Sequence, residues 1–303
     1  MLTPTFGTTP ARAHWPPIRV LSCVRFGEVC VLQGAPLIGA MFSIGTLSLH
    51  GALVLLAVVA GSLSLVGHVF VLNDWAGIHG DLRDPARASR TFIAKGVSRT
   101  ELGYLAIVLL GLALSLFWLV GVAPFVVAVL IAGTSALYSA PAFHMKGLPV
   151  LGSALHLAGG VLHFLLGYAA FSAIDERGIV IGCFFALVFT AGHLTHEARG
   201  HEGDCLNGIR TNAVVFGKTR SFVAGLVLFT AAYALLAILA FLGIVPHVLL
   251  LAAMLYPLHL WMSLRALDAG LTSESLHRLQ RSYRLLYSVI GIAMIMAVAP
   301  SMI

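Results

Sequence analysis

Two short acidic segments each follow a long apolar run. The first is Asn73 to Asp84 (NDWAGIHGDLRD) and the second is Glu197 to Asp204 (EARGHEGD). Their polar skeletons, D-x-x-G-x-x-x-D and E-x-x-G-x-x-x-D, have the same length. The same 123 residues separate Asp74 from Glu197 and Asp81 from Asp204. Asp74, Asp81, Asp84, Glu197, Glu202 and Asp204, with Glu101 as a weaker member, are seven of the chain's 12 acidic residues. Carboxylates beside hydrocarbon cost about 2.5–3.5 kcal/mol each at mid-bilayer, so their presence there points to a function. On a helix, residues 74, 77, 81 and 84 share one face, and so do 197, 200 and 204. Two such faces opposed would gather negative charge that only a cation relieves. Oxygen-only ligands suit Mg²⁺, which binds through one or two carboxylates together with substrate phosphates. Arg90, Arg199 and Arg210 stand beside these acids, and guanidinium forks match phosphate oxygens. Gly77 and Gly200, on the acidic faces, leave room for a bulky bound group.

These segments must be positioned by membrane helices. The chain is 59% hydrophobic and 10% charged. Its mean hydropathy of +0.97 lies far from the soluble range. Nine apolar stretches reach the length of about 20 residues that a spanning helix needs. They are approximately 27–47, 52–73, 102–120, 123–141, 149–171, 178–196, 221–243, 246–265 and 284–302. They lack the strict alternation of a membrane barrel. The expected fold is therefore all-α, an integral membrane bundle of nine helices in one domain spanning 23–303. Residues 1–22, rich in proline, read as a mobile or membrane-surface leader without a signal-peptide core. With the N-terminus inside, 17 of the 18 Lys and Arg residues fall on the inner face and Arg177 alone on the outer. This bias predicts a cytoplasmic N-terminus and cytoplasmic acidic segments, with the C-terminus opposite. The net charge of +6 then belongs to short loops and to membrane lipids, and implies no nucleic acid. Cys23, Cys30, Cys183 and Cys205 have no C-x-x-C spacing and read as free thiols.

The acidic segments follow the second and sixth apolar stretches, a weak parallel repeat. Folding the helices into a ring would bring the two segments face to face. An apolar cavity with an acidic, magnesium-binding rim suits a lipid with a diphosphate head. Positive charge at the rim would offset the charge on a departing diphosphate.

The chain resembles the UbiA superfamily of intramembrane prenyltransferases, which carry N-D-x-x-D-x-x-x-D after helix two and D-x-x-D-x-x-x-D after helix six. Asn73, Asp74 and Asp81 match the first motif; Glu197 and Asp204 match the second. Residues 90–98 (RTFIAKGVS) resemble the R-P-I-P-S-G-x-I-S stretch. Tyr138, Ser139, Pro141 and Lys146 resemble Y-S-x-P-P-x-x-x-K. Gly208, Arg210, Thr211, Gly217 and Lys218 resemble G-x-R-T and L-G-K. The resemblance implies a ring-shaped bundle and a Mg²⁺-dependent transfer from a prenyl diphosphate to a lipophilic or aromatic acceptor. It implies Asp74, Asp81, Glu197 and Asp204 as catalytic metal ligands. Asn73, Asp84, Arg90, Lys146, Arg199 and Arg210 are the expected substrate-binding residues.

The chain departs from the pattern in having glycine at both central acid positions, 77 and 200, and Glu197 where the family has aspartate. Two alternatives stay open: a cyclase in which the tail captures its own cation, and a prenyl-diphosphate-binding protein without chemistry. Asp84 precedes Pro85 and could instead end a helix. Asn73 could instead bond another helix. Glu202 reads as a solvated residue, and Glu101, three after Ser98, has capping-box spacing. His193, His196 and His201 cluster with Glu197 and invite a zinc reading, but His196 and His201 are five apart and diverge on a helix, which disfavours zinc. His156 and His163, seven apart, share a face and suit an acceptor pocket, a proton relay or simple packing.

Overall fold

The structure is a computed structural model that describes residues 16–299. Among these residues, nine helical spans are long and apolar enough to cross a membrane. They are α1 (Phe26–Ser43), α2 (Leu49–Arg83), α3 (Arg99–Val120), α4 (Val122–Ser139), α5 (Leu151–Tyr168), α6 (Glu176–Leu206), α7 (Lys218–Phe241), α8 (Leu249–Asp268) and α9 (Ser273–Val298). The expected nine-helix membrane fold is thus observed. The first fifteen residues of the expected leader, and the end of the last stretch beyond 299, lie outside the described residues. The rest of the leader is tied down. Pro16–Leu21 is a short helix, Arg19 donates to Glu101 at 3.0 Å, and Lys95 donates to the Ser22 carbonyl at 2.6 Å.

Helices α2 and α6 differ from the apolar stretches that seeded them. Hydropathy falls off near residues 73 and 196, yet the helices continue to Arg83 and Leu206. Nothing in either acidic segment breaks a helix, and polar residues continue a backbone ladder as well as apolar ones do. At about 1.5 Å per residue, the 35 residues of α2 exceed the roughly 30 Å hydrocarbon thickness. The acids therefore stand on helical extensions beyond the apolar stretches. Helix α2 stops where Asp84 turns extended (φ −88, ψ 109) ahead of Pro85. Helix α9 likewise begins at Ser273, well before its apolar stretch. Helix α3 opens with the expected capping box, since Ser98 and Glu101 cap each other reciprocally.

Each spanning helix packs on the next in sequence, and α9 returns to α1, so the helices close a ring. Ile290, Met294 and Val298 of α9 share one core cluster with Ile38 and Phe42 of α1. Helices α1 and α5 also pack together, and glycine makes that possible. A Cβ at Gly167 would lie 1.8 Å from the Pro36 carbonyl oxygen, and one at Gly39 would lie 2.1 Å from that of Phe164. The two backbones touch, which any side chain would prevent.

Candidate active site

The C-terminal ends of α2 and α6 meet, as the repeated spacing predicted. Glycines interlock them. A Cβ at Gly80 would lie 3.4 Å from the Asn207 side chain. One at Gly203 would lie 2.6 Å from Asp84 Oδ2, and one at Gly200 would lie 3.1 Å from Arg87 Nη2. Asp84, at the end of the first acidic segment, and Arg87, just past it, therefore lie on a flat strip of backbone in the second.

Each acid has a definite environment. Asp74 receives both Nε (3.1 Å to Oδ2) and Nη2 of Arg25, a bidentate pair from the residue just before α1. Asp81 Oδ1 lies 3.4 Å from Arg87 Nη1, and Asp84 Oδ2 lies 3.2 Å from Arg87 Nε. Asp84 is only 8% exposed. Glu197, 4% exposed, accepts from the Asn212 backbone N–H at 3.1 Å and side-chain amide at 2.9 Å. Its other oxygen lies 3.1 Å from His193 Nε2. Asp204, also 4% exposed, is acted on by the positive charges of Lys146 and Arg87.

The other expected contributors divide. Lys146 is half-buried on the single turn Met145–Gly147, and its positive charge acts on Asp204. Arg90 and Arg210 are exposed on the loops that follow the two acidic segments. Asn73 donates to Ser139 of α4 at 3.1 Å, the interhelical bond rather than a contact to Asp74. Arg199 turns toward α9, where it pairs with Gln280, and meets His196 Nδ1 at 2.8 Å. Glu202 is exposed and bonds Lys218 at 2.8 Å.

Beside Glu197, a wall of rings lines the site. His156 and His193 stack with centroids 3.7 Å apart, and Tyr138 sets its edge on His156 at 4.8 Å. His156 Nδ1 lies 2.8 Å from the Gly152 carbonyl and His163 Nδ1 lies 2.7 Å from that of Gly159. A carbonyl only accepts, so the hydrogen sits on Nδ1 in both rings.

Sequence reasoning missed Arg25, Arg87 and Asn212 as members of this site, and grouped His193 with Glu197 only under the zinc reading. Arg87 was legible in principle, three residues after Asp84. Arg25 and Asn212 reach the acids only through the tertiary fold.

The donors at this site suit magnesium. They are carboxylate oxygens, the type that Mg²⁺ takes. Among the described residues, no three His, Cys, Asp or Glu side chains converge as a ligand group. Magnesium that accompanies a phosphate needs no such cage, since one or two carboxylates suffice. Asp81 and Asp204 both border the Arg87 guanidinium, so one cation can face both. In that sense the residues fit the ion.

Among the described residues, a ring of nine spans with two acidic helix ends joined at one rim defines an all-helical membrane protein. Residues 35–288 match the model of the UbiA prenyltransferase family. The chain belongs to that family. Among solved structures, it is similar to a UbiA homologue from Archaeoglobus fulgidus bound to GPP and Mg²⁺, with a TM-score of 0.68 and 16% identity over 94% of this chain and 99% of the other. A UbiA homologue from Aeropyrum pernix K1 gives a TM-score of 0.70 and 18% identity, over 90% and 99%. A digeranylgeranylglyceryl phosphate synthase gives 0.66 and 18%, over 93% and 98%. Compared by sequence with curated proteins, the chain finds no match.

Proposed function

We propose that this protein transfers a prenyl group from an allylic prenyl diphosphate to an electron-rich, lipophilic or aromatic acceptor, with Mg²⁺ and release of diphosphate. The observation that carries this reading is that Asp84 and Arg87 seat on Gly203 and Gly200, which brings the two acidic segments together at one end of the helical ring. The relatives bound to GPP or DMAPP with Mg²⁺ support the choice of donor and ion.

Asp81 and Asp204 are the acids best placed to hold the ion; Asp74 and Glu197 join them by releasing Arg25 and Asn212. Bound there, Mg²⁺ would supply charge that offsets that of the departing diphosphate. Lys146, Arg90 and Arg210 close on the diphosphate oxygens from the surrounding loops. Arg199, Asn73 and Asp84 contribute only by leaving Gln280, Ser139 and Arg87. The allylic C–O bond breaks with its electron pair departing on diphosphate. The acceptor's π pair then forms the new bond to carbon, and the acceptor loses a proton to solvent. The excess of Lys and Arg at this rim supports a cytoplasmic site.

The test is product analysis with purified protein, labelled geranyl diphosphate and a panel of aromatic acceptors. A product heavier by one prenyl unit is expected. A cyclic hydrocarbon or terpene alcohol without acceptor would move the assignment to a cyclase. Tight binding with no product and no diphosphate release would reduce it to a binding protein.

A further inference from the structure

The second acidic segment carries glycines at 200 and 203, three residues apart and so on one helix face. The chain after α2 carries Asp84 and Arg87, also three apart. The two pairs meet. Asp84 lies against Gly203 and Arg87 against Gly200, so closely that a Cβ at either glycine would press on the charged group above it. The break at Asp84 and the short helix Pro85–Ala88 aim the Arg87 side chain back over α6. There its guanidinium reaches Asp81 at 3.4 Å and Asp84 at 3.2 Å, and acts on Asp204.

We infer that Arg87 is a resident cation of this site, seated on the Gly200–Gly203 strip, and takes the place that a second divalent ion would otherwise hold beside Asp81, Asp84 and Asp204. The charge balance favours this. Asp81 and Asp84 already pair with Arg87, and Asp204 is under the positive charges of Lys146 and Arg87, which leaves little negative charge for two divalent ions. Arg87 thus joins the acidic segments without metal, and its fork then faces the diphosphate once a substrate enters. The inference rests on the prenyl-diphosphate reading for the identity of that substrate, but its claim about cation occupancy stands apart from it.

Direct binding of Mn²⁺ to the full-length protein in detergent, followed by electron paramagnetic resonance without substrate, tests it. Wild type is expected to bind at most one ion per chain. Arg87→Gln is expected to gain a site, or to bind Mn²⁺ at least ~10-fold more tightly, because the carboxylates lose their internal partner. Gly200→Ala, which only crowds the guanidinium, is expected to shift affinity in the same direction by less, and it serves should Arg87→Gln fail to fold. Unchanged Mn²⁺ stoichiometry and affinity in the folded variants, or two tight ions in wild type, would overturn the inference. Diphosphate binding by wild type is measured in parallel. Its absence would count against the proposed function and leave the Mn²⁺ comparison to decide the role of Arg87.

Discussion

Glu197 accepts two hydrogen bonds from Asn212, one from the backbone N–H at 3.1 Å and one from the side-chain amide at 2.9 Å. Asn212 also donates to Ser153 of α5 at 3.0 Å, and its amide oxygen accepts from the Val150 N–H at 2.7 Å. One asparagine thus joins α5, α6 and the turn after the second acidic segment. Glu197 reaches it with one methylene more than an aspartate would have. Asn212→Ala is expected to leave a buried carboxylate with fewer donors and to destabilise the protein by about 1–3 kcal/mol. Thermal unfolding in detergent reads this directly. An unchanged melting temperature would contradict the role given to Asn212.

Arg25 and Asp74 form a bidentate pair whose side chains are 45% and 20% exposed. Such a pair contributes roughly 0–1 kcal/mol to stability. Arg25→Ala is therefore expected to fold as wild type does while altering the charge at the rim. If Arg25 competes with ligand for Asp74, the variant binds Mn²⁺ more tightly, by about threefold to tenfold. Weaker binding would instead place Arg25 among the groups that receive the diphosphate.

The contact between α1 and α5 depends on the absence of a side chain. Gly167→Ala would place a Cβ 1.8 Å from the Pro36 carbonyl oxygen. Backbone must move to admit it, at a cost of about 3 kcal/mol or more. Loss of monodisperse protein on size exclusion is the expected outcome. Gly111→Ala, where a Cβ meets nothing within 4 Å, is expected to behave as wild type and serves as the control.

Ser98 caps α3 and accepts from the Glu101 N–H at 3.2 Å. Ser98→Ala is expected to lower stability by about 1 kcal/mol, the usual worth of an N-cap, and to leave diphosphate release intact. A large loss of activity at unchanged stability would place this loop in the site after all.

The nine helices and the meeting of the two acidic segments were legible from hydropathy, from the bias of basic residues and from a repeat of constant offset. The helix ends were not. Apolar windows stop near residues 73 and 196 because side chains become polar there, whereas the backbone ladder runs on until Pro85 and Gly208 interrupt it. Nor were the partners of the acids legible. Arg25 is 49 residues from Asp74 and Asn212 is 15 from Glu197, and no local spacing links them. Asn73 shows the limit from the other side. Its place in the motif was evident, but its amide bonds Ser139 on a different helix. Gly200 was readable as room left open. Only the fold shows that Arg87 fills it.

The most direct measurement is diphosphate release from a panel of allylic prenyl diphosphates by purified protein, with Mg²⁺ and with EDTA, comparing wild type with Asp81→Asn and Asp204→Asn. Magnesium-dependent release by wild type is expected, with a fall of about 100-fold or more in each folded variant. Full release from both variants, or release that EDTA leaves untouched, would contradict a reaction centred on the two acidic segments.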